Sequence, residues 1–205
     1  EMRTPINRMR LNSEIAVAKA ETEDELREVV HSNLAECERL TRLLNGLLFL
    51  ARADNHQAAI LPERFSPASQ LAVVKEFYED DATSAGVTLK CEARPECCEI
   101  IADRELFKQA LANLVSNAIR HTPAGGRVAV AVRRPAPGTI AIDVVNTGET
   151  LAAEHLPRLF DRFYRADPAR GGDGSHSGLG LAIVKSIAAG ARAMEADAAP
   201  PQAAE

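Results

Sequence analysis

The sequence predicts an α+β protein in which a helical hairpin is followed by a two-layer α/β sandwich. Three observations support this class. Apolar residues recur at alternating intervals of four and three over 26–51, as on one long helix. Residues 55–67 then interrupt the helical pattern with two prolines. After them comes the order helix, strand, strand, helix, hairpin, which is typical of such a sandwich. The predicted divisions are therefore 1–54 (hairpin), 55–67 (linker) and 68–205 (sandwich).

The hairpin is predicted from two neighbouring helical segments. Residues 2–20 have a helical pattern, and Thr22 with Glu25 forms a capping box that begins the second helix. The apolar stripe of that helix is a heptad seam with the members Leu26, Val30, Asn33, Cys37, Leu40, Leu44, Leu47 and Ala51. Two helices cannot bury such a stripe alone. A second copy would close a four-helix bundle, which predicts a homodimer through residues 2–53. The alternative is a hairpin packed on its own downstream domain.

The sandwich is predicted from turn and capping signals. The expected elements after the linker are a helix at 68–84 ending before Gly86, strands at 87–91 and 99–102, a helix capped by Asp103, and paired strands at 128–132 and 140–145. Glycine is common just past a helix end, and aspartate is a strong N-cap. Alternating apolar residues on both sides of the turn at 135–138 indicate a β-hairpin.

Composition excludes several classes of protein. The net charge of −5 and the absence of Trp argue against nucleic-acid binding. The sequence contains no apolar run of about 18 residues and no visible signal peptide. The four cysteines, Cys37, Cys91, Cys97 and Cys98, match no zinc-site spacing and are predicted to be reduced thiols of a cytosolic domain.

The segment 113–122, N-L-V-S-N-A-I-R-H-T, carries the most specific chemical information. Asn113 and Asn117 lie four apart on a predicted helix and therefore share one face. Carboxamide oxygens are neutral, hard ligands that suit Mg²⁺, and Arg120 in the next turn suits phosphate oxygens. Two asparagines alone would also fit an exposed polar face. His121 beside them either contacts phosphate or has a neutral packing or surface role.

Three further motifs follow this segment, N-T-G at 146–148, L-F-D-R-F-Y at 159–164 and S-G-L-G-L-A-I-V-K at 177–185. In this order the four motifs resemble the N, G1, F and G2 boxes of the histidine-kinase ATPase domain, which has the GHKL, or Bergerat, fold. The opening residues E-M-R-T-P resemble the end of the phosphoacceptor motif H-E-[LM]-R-T-P of the same kinases. The segment 155–168 is most similar to the branch that senses copper, silver and other heavy metals.

The resemblance implies a site for ATP and Mg²⁺. Asn117 is the implied Mg²⁺ ligand, Asn113 helps to position metal or phosphate, and Arg120 and His121 meet the triphosphate. The other residues implied to bind nucleotide are Asn146, Gly148, Phe160, Phe163, Gly178, Leu179 and Gly180. The two phenylalanines would also fit an ordinary core position, and the two interpretations are compatible.

Several positions depart from the family's pattern. Asn146 replaces the usual Asp that accepts a hydrogen bond from the adenine amino group, and its amide oxygen retains an acceptor without charge. Thr150 and His176 stand where glycines are common. Residues 165–176 are rich in Arg, Asp and Gly, as expected of a lid. After residue 187 no strand pattern follows, so the sheet is expected to lack its last strands and to expose an edge.

The resemblance implies the cytoplasmic kinase core of a two-component sensor. Such a core transfers the ATP γ-phosphoryl group to a histidine and then to an aspartate in the receiver domain of a response regulator. The acceptor histidine would precede Glu1, so the chain is expected to be a fragment that does not phosphorylate itself. Glu1 is implied as a general base, and Thr4 helps to position water for dephosphorylation.

The parent protein is expected to be membrane-anchored upstream of Glu1, which places this part at the cytoplasmic face of the bacterial inner membrane. A non-catalytic dimeric scaffold and a GHKL ATPase of another kind are the alternatives.

Overall fold

The computed structural model describes residues 3–19, 22–55, 60–93, 99–136, 139–166 and 177–198. The helices are α1 (Arg3–Lys19), α2 (Glu23–Asp54), α3 (Pro67–Ser84), α4 (Arg104–Arg120) and α5 (Gly180–Ala198). The strands are β1 (Pro62–Phe65), β2 (Thr88–Ala93), β3 (Ile100–Asp103), β4 (Arg127–Ala136) and β5 (Thr139–Asn146). A 3₁₀ helix covers Ala153–Arg158. The predicted α+β class is confirmed.

The helical hairpin consists of α1 and α2, and α2 begins where the sequence predicts. The Thr22 hydroxyl accepts a hydrogen bond from the Glu25 amide, and the Glu25 carboxylate accepts one from the Thr22 amide, both at 3.3 Å. The two helices run antiparallel, since Asn33 of α2 donates to Ser13 of α1 at 2.9 Å while later residues of α2 contact earlier residues of α1.

Helix α2 has two apolar faces, of which one is buried within the chain and the other is exposed. Leu43, Gly46 and Leu50 are buried against α5. The seam residues Val30 and Leu44, in contrast, are 65% and 49% exposed. The alternative that the hairpin packs on its own downstream domain is therefore confirmed for one face. The other face leaves apolar side chains exposed, as partner-binding surfaces do.

The sandwich places α3 and α4 over a mixed three-stranded sheet. Its strand order is β2-β4-β5, with β2 parallel and β5 antiparallel to β4. We call the buried cluster between sheet and helices the sandwich core; it consists of Phe65, Leu71, Val74, Ala82, Val87, Leu89, Ile100, Phe107, Leu111, Val115, Ala118, Ile119, Val128, Val130 and Val132. This core fixes α4, the helix that carries the N box.

The predicted linker needs a correction. Within 55–67, Pro62–Phe65 forms strand β1, which pairs antiparallel with β3. Proline is tolerated at the first position of a strand on a sheet edge because its missing N–H group is not needed there. Phe65 is buried in the sandwich core, so β1 belongs to the sandwich.

In the described part of the chain, β5 pairs with β4 alone. Strand β5 is therefore an edge strand of the three-stranded sheet there. Helix α5 continues to Ala198, and within the described residues no strand follows it. Among the described helices, none combines the length and the hydrophobicity that a membrane crossing requires.

Candidate functional site

Helix α4 is held at its start and along one side, which fixes the direction of its polar face. The Asp103 carboxylate accepts hydrogen bonds from the amides of Leu106 at 3.0 Å and Leu61 at 2.9 Å. Leu111 and Val115 are completely buried in the sandwich core. Asn113 and Asn117 are only half-buried. The predicted common placement of the two carboxamides on one side of α4 is consistent with this burial pattern.

The last turn of α4 carries a cationic group bound to the predicted metal ligand. Arg120 Nη2 donates to Asn117 Oδ1 at 3.0 Å and lies 3.0 Å from His121 Nε2. Because a guanidinium only donates, His121 Nε2 accepts and the imidazole is neutral at that nitrogen. Burial first, and then the charge of Arg120, lower the pKa of His121 below its usual value of 6.5. This end of α4 therefore holds one positive charge and two acceptors.

The G2 motif meets α4 at Asn113. A Cβ atom built on Gly180 would lie 3.2 Å from Oδ1 of Asn113, so the first residue of α5 lies directly beside that carboxamide. The N–H groups of a first helical turn favour anions, which makes the start of α5 a suitable place for phosphate. The sequence predicts that these two motifs share one site, and in the structure the start of α5 lies beside Asn113.

The G1 motif meets the C-terminal end of α4. Asn146 Nδ2 donates to the main-chain oxygen of His121 at 3.3 Å. A side chain on Gly148 would collide with the same oxygen and with Asn146 Nδ2. Glycine is therefore required at 148 because the backbone approaches α4 so closely. The N and G1 boxes, separated in sequence, are therefore in direct contact.

The F motif is hydrogen-bonded to Gly178 of the G2 motif. The Phe163 amide donates to the Gly178 carbonyl at 3.0 Å, and both residues have left-handed backbones, with φ of 63° and 66°. Such a conformation is strained for a bulky residue such as phenylalanine. The contact joins the two ends of the predicted lid, of which residues 167–176, including His176, lie outside the described residues.

Three predicted site residues differ from expectation in their surroundings. Phe160 and Phe163 are 43% and 41% exposed, so the interpretation that they are also core aromatics is wrong. Leu179 is 2% exposed, and its side chain packs with α2 rather than lining a cleft. Only its backbone is available to a nucleotide. Glu1 lies outside the described residues, and Thr4 lies in the first turn of α1.

Two further contacts have no signal in the sequence. Arg162 Nη2 lies 2.7 and 2.6 Å from the two carboxylate oxygens of Asp54, which joins the F motif to the last residue of α2. Tyr164 Oη lies 2.7 Å from His155 Nδ1, and the Arg158 guanidinium lies 4.4 Å from the Tyr164 ring centroid. The first pair is separated by 108 residues, so no local pattern could reveal it.

Two family models match the chain. The model described as "Histidine kinase-, DNA gyrase B-, and HSP90-like ATPase" matches residues 102–199, and "His Kinase A (phospho-acceptor) domain" matches residues 1–56. Together they cover the hairpin and most of the sandwich, including the whole of α4 and α5.

The chain is also similar to curated sensor proteins. "Sensor histidine kinase CusS" of Escherichia coli strain K12 is 41% identical over 189 residues, and "Sensor protein CzcS" of Cupriavidus metallidurans is 33% identical over 187 residues. Each alignment covers 91% of this chain but 38% of the relative. The chain therefore spans less than half the length of these relatives.

Solved structures share the fold. The Acinetobacter baumannii histidine kinase AdeS is 24% identical with a TM-score of 0.74, covering 91% of this chain and 84% of that one. The histidine kinase ThkA in complex with response regulator protein TrrA is 20% identical with a TM-score of 0.61, covering 80% of this chain and 48% of that one. At these identities the likeness concerns the fold alone.

Proposed function

Because this chain belongs to the sensor histidine kinase family, we propose that it binds Mg-ATP between the second half of α4, the end of β5 and the start of α5. Its family resemblance, branch included, is confirmed by the matches above. One observation carries the proposal. Three separate motifs lie together, since hydrogen bonds connect Asn117, Arg120, His121 and Asn146, and the start of α5 at Gly180 lies beside Asn113.

The donor set fits a magnesium ion that arrives with a nucleotide. Among the described residues no group of three or more His, Cys, Asp or Glu side chains could hold a metal. Asn117 Oδ1 is a neutral oxygen that already accepts from a cation, the Arg120 guanidinium. Mg²⁺ is commonly held by few protein oxygens together with phosphate oxygens and water. Asn117, assisted by Asn113, would hold it; when bound, the ion neutralises charge on the phosphates.

The remaining groups of the site would bind the rest of the nucleotide. Arg120 would exchange its contact with Asn117 for the triphosphate, since charged phosphate oxygens are stronger acceptors than a carboxamide. The backbone amides around Gly178 and Gly180 would meet phosphate at the start of α5. Neutral His121 would accept from Arg120 or pack beside the nucleotide. The exposed rings of Phe160 and Phe163 flank the lid and would help to exclude water when it closes.

The proposed reaction transfers the γ-phosphoryl group to a histidine located directly before Glu1. A neutral imidazole nitrogen attacks the γ-phosphorus while the bond to the ADP oxygen breaks, and the protein contributes positioning and charge neutralisation. Glu1 would act as general base toward that imidazole. The phosphoryl group would pass next to an aspartate in the receiver domain of a response regulator. Thr4 would position water for the reverse function, dephosphorylation of that partner.

The proposed assembly is a homodimer through residues 2–53. The exposed apolar residues of α1 and α2 support it, since a second hairpin would cover them: Ile6, Leu11, Ile15, Leu26, Val30, Leu34, Leu44 and Leu48. The parent protein would be anchored in the inner membrane upstream of Glu1, with this part at the cytoplasmic face.

Nucleotide binding tests the proposal directly. Asn117→Ala should abolish Mg-dependent ATP binding while the fold, followed by circular dichroism, remains intact. Asn45→Ala removes an exposed asparagine of α2 and should leave ATP affinity unchanged. Unchanged Mg-ATP affinity of a folded Asn117→Ala variant would refute the metal assignment.

Phosphoryl transfer is tested with radiolabelled ATP. A version that carries one added histidine directly before Glu1 should acquire an acid-labile, base-stable label, and the 205-residue chain serves as its control. Label on the control would show that the acceptor is misplaced. Absence of label and of nucleotide binding in both would favour the dimeric scaffold.

A further inference from the structure

The start of α5 packs against α2 of the same chain. A Cβ atom built on Gly46 of α2 would lie 3.6 Å from Cδ1 of Leu179. Leu179 is buried in one apolar cluster with Leu43, which is also a residue of α2. Because Gly178 and Gly180 flank Leu179, the backbone amides proposed to bind phosphate lie close to this side of α2.

The F motif is joined to the same helix. Arg162 donates to both carboxylate oxygens of Asp54, at 2.7 and 2.6 Å. The Phe163 amide donates to the Gly178 carbonyl at 3.0 Å. The two ends of the predicted lid are therefore linked to each other and to α2 of their own chain.

The register of the hairpin places the beginning of α1 at the same height as this contact. Met9 Sδ of α1 lies 3.6 Å from Cys37 Sγ of α2. Since the helices are antiparallel, this register sets Arg3, the first residue of α1, level with Leu43. The acceptor proposed directly before Glu1 is three residues earlier, which is roughly 5 Å along a helix axis.

Helix α2 presents different sides to α5, to α1 and to solvent. At about 100° per residue, Leu34 lies roughly 180° from Leu43 around the helix. Leu34 is 55% exposed and belongs to the apolar side proposed to bind a second hairpin. Cys37, which contacts α1, lies between these sides, about 60° from Leu34 and about 120° from Leu43. A second hairpin would thus bind opposite α5, whereas α1 of the same chain lies nearer to it.

We propose that each chain phosphorylates its own acceptor, because α2 holds the phosphate end of the nucleotide site beside α1 of the same chain; this rests on the proposed function. Gly46 is then a positioning residue, since it allows the start of α5 to approach α2 closely at the height of the acceptor. Positioning of this kind contributes strongly to the rate of a transfer reaction.

The transfer step is the one proposed above, carried out within one chain. One ring nitrogen of the neutral imidazole uses its lone pair to form the N–P bond. The bond from the γ-phosphorus to the oxygen that bridges it to the β-phosphate breaks, and ADP leaves with that electron pair. The proton of the other ring nitrogen passes to the Glu1 carboxylate.

Two mixed dimers test the proposal with radiolabelled ATP. Each is isolated through a different affinity tag on each chain, and acceptor chains carry one added histidine before Glu1. In the first dimer, one chain has both the acceptor and an intact site, and the other is the 205-residue chain with Asn117→Ala. In the second, the acceptor chain carries Asn117→Ala and the 205-residue chain is intact. The first should be labelled, and the second should match the acceptor-bearing Asn117→Ala homodimer.

Each other outcome contradicts transfer within one chain. Label on the second dimer, alone or together with the first, would overturn the inference, and so would label on neither while the acceptor-bearing homodimer is labelled. If the chains do not associate, a labelling rate per chain that is independent of protein concentration supports the inference, and a rate that rises with concentration overturns it. An unlabelled acceptor-bearing homodimer would refute the proposed phosphoryl transfer itself.

A substitution at Gly46 tests the positioning role separately from nucleotide binding. In the acceptor-bearing chain, Gly46→Leu should separate α5 from α2 and slow labelling by roughly tenfold to a hundredfold, while ADP affinity measured by calorimetry stays unchanged. Asn45→Leu adds the same side chain at the neighbouring exposed position and should leave the labelling rate unchanged. An undiminished labelling rate in a folded Gly46→Leu variant would overturn the assigned role of this contact.

Discussion

The sandwich core and the small cluster between α2 and α5 both consist of buried apolar residues, yet they join different parts of the chain. The sandwich core contains residues from 65 to 132 and is enclosed by a sheet and two helices. The second cluster, which we call the junction cluster, contains Leu43, Leu50, Leu179, Ala182 and Ile183. It joins the hairpin to the helix that begins at the G2 motif.

The two clusters differ in how many elements enclose them, and this difference predicts how well each can adjust to a lost side chain. A residue removed from the sandwich core leaves a cavity with walls on all sides. The junction cluster has α2 on one side, and that helix is attached by few other contacts to the sandwich. Leu179 belongs both to the G2 motif and to the junction cluster, so the start of α5 contacts the helical hairpin directly.

The largest expected effect comes from replacing two equally buried leucines by alanine, one in each cluster. Leu111 and Leu50 are 0% and 2% exposed, so the same atoms are removed from equal burial. Leu111→Ala should lower the free energy of unfolding by about 4 kcal/mol and Leu50→Ala by about 2 kcal/mol, because α2 can shift to fill its cavity. Urea unfolding followed by circular dichroism measures both. Leu61→Ala, at a 75% exposed position, should cost less than about 0.5 kcal/mol. Equal losses for the two buried leucines would mean that both clusters are equally rigid.

The exposed face of α2 provides the next test. Leu44 is 49% exposed and lies outside the junction cluster. Leu40, in contrast, packs against the junction cluster. Leu44→Asp should therefore convert a dimer to a folded monomer, since a charge would be buried in the interface. Light scattering reports the mass. Phe77→Asp adds the same charge at a 75% exposed apolar position of α3 and should leave the dimer intact. A monomeric wild type at high concentration would contradict the predicted bundle.

The ion pair between Asp54 and Arg162 should contribute less to the free energy of unfolding than either buried leucine. Its side chains are 54% and 43% exposed, so solvent screens the attraction. A double-mutant cycle of Asp54→Ala and Arg162→Ala should give a coupling of about 0.5 kcal/mol in the free energy of unfolding, decreasing at high salt. Zero coupling at low salt would show that the junction cluster alone docks the hairpin.

The smallest effect is a pH dependence at the end of α4. Burial, then Arg120, lower the pKa of His121 in the folded chain, so the unfolded chain binds more protons below about pH 6.5. The free energy of unfolding should therefore fall as the pH drops below that value, and His121→Gln should reduce the loss. Thermal melts at pH 7.5 and 5.5 measure it, with His31→Gln on α2 as control. An unchanged pH dependence in His121→Gln would show that other groups dominate.

Local patterns were sufficient to predict most helices and strands. The Thr22 capping box and the Asp103 cap are present as predicted, because each depends on residues within one turn of the chain. Strand β1 was missed because four residues next to prolines carry too little periodicity. Its pairing with β3 decides that it is a strand.

The sequence by itself determined the order of the motifs and the sharing of one helix by Asn113 and Asn117, since helical periodicity requires nothing from the rest of the fold. Only the tertiary structure decided that Leu179 is buried under α2, that Asp54 meets Arg162, and that the His121 carbonyl orients the Asn146 amide. Each of these depends on packing between segments far apart in the chain. Such contacts arise from the shape of the whole molecule and leave no periodic pattern in the residues that make them.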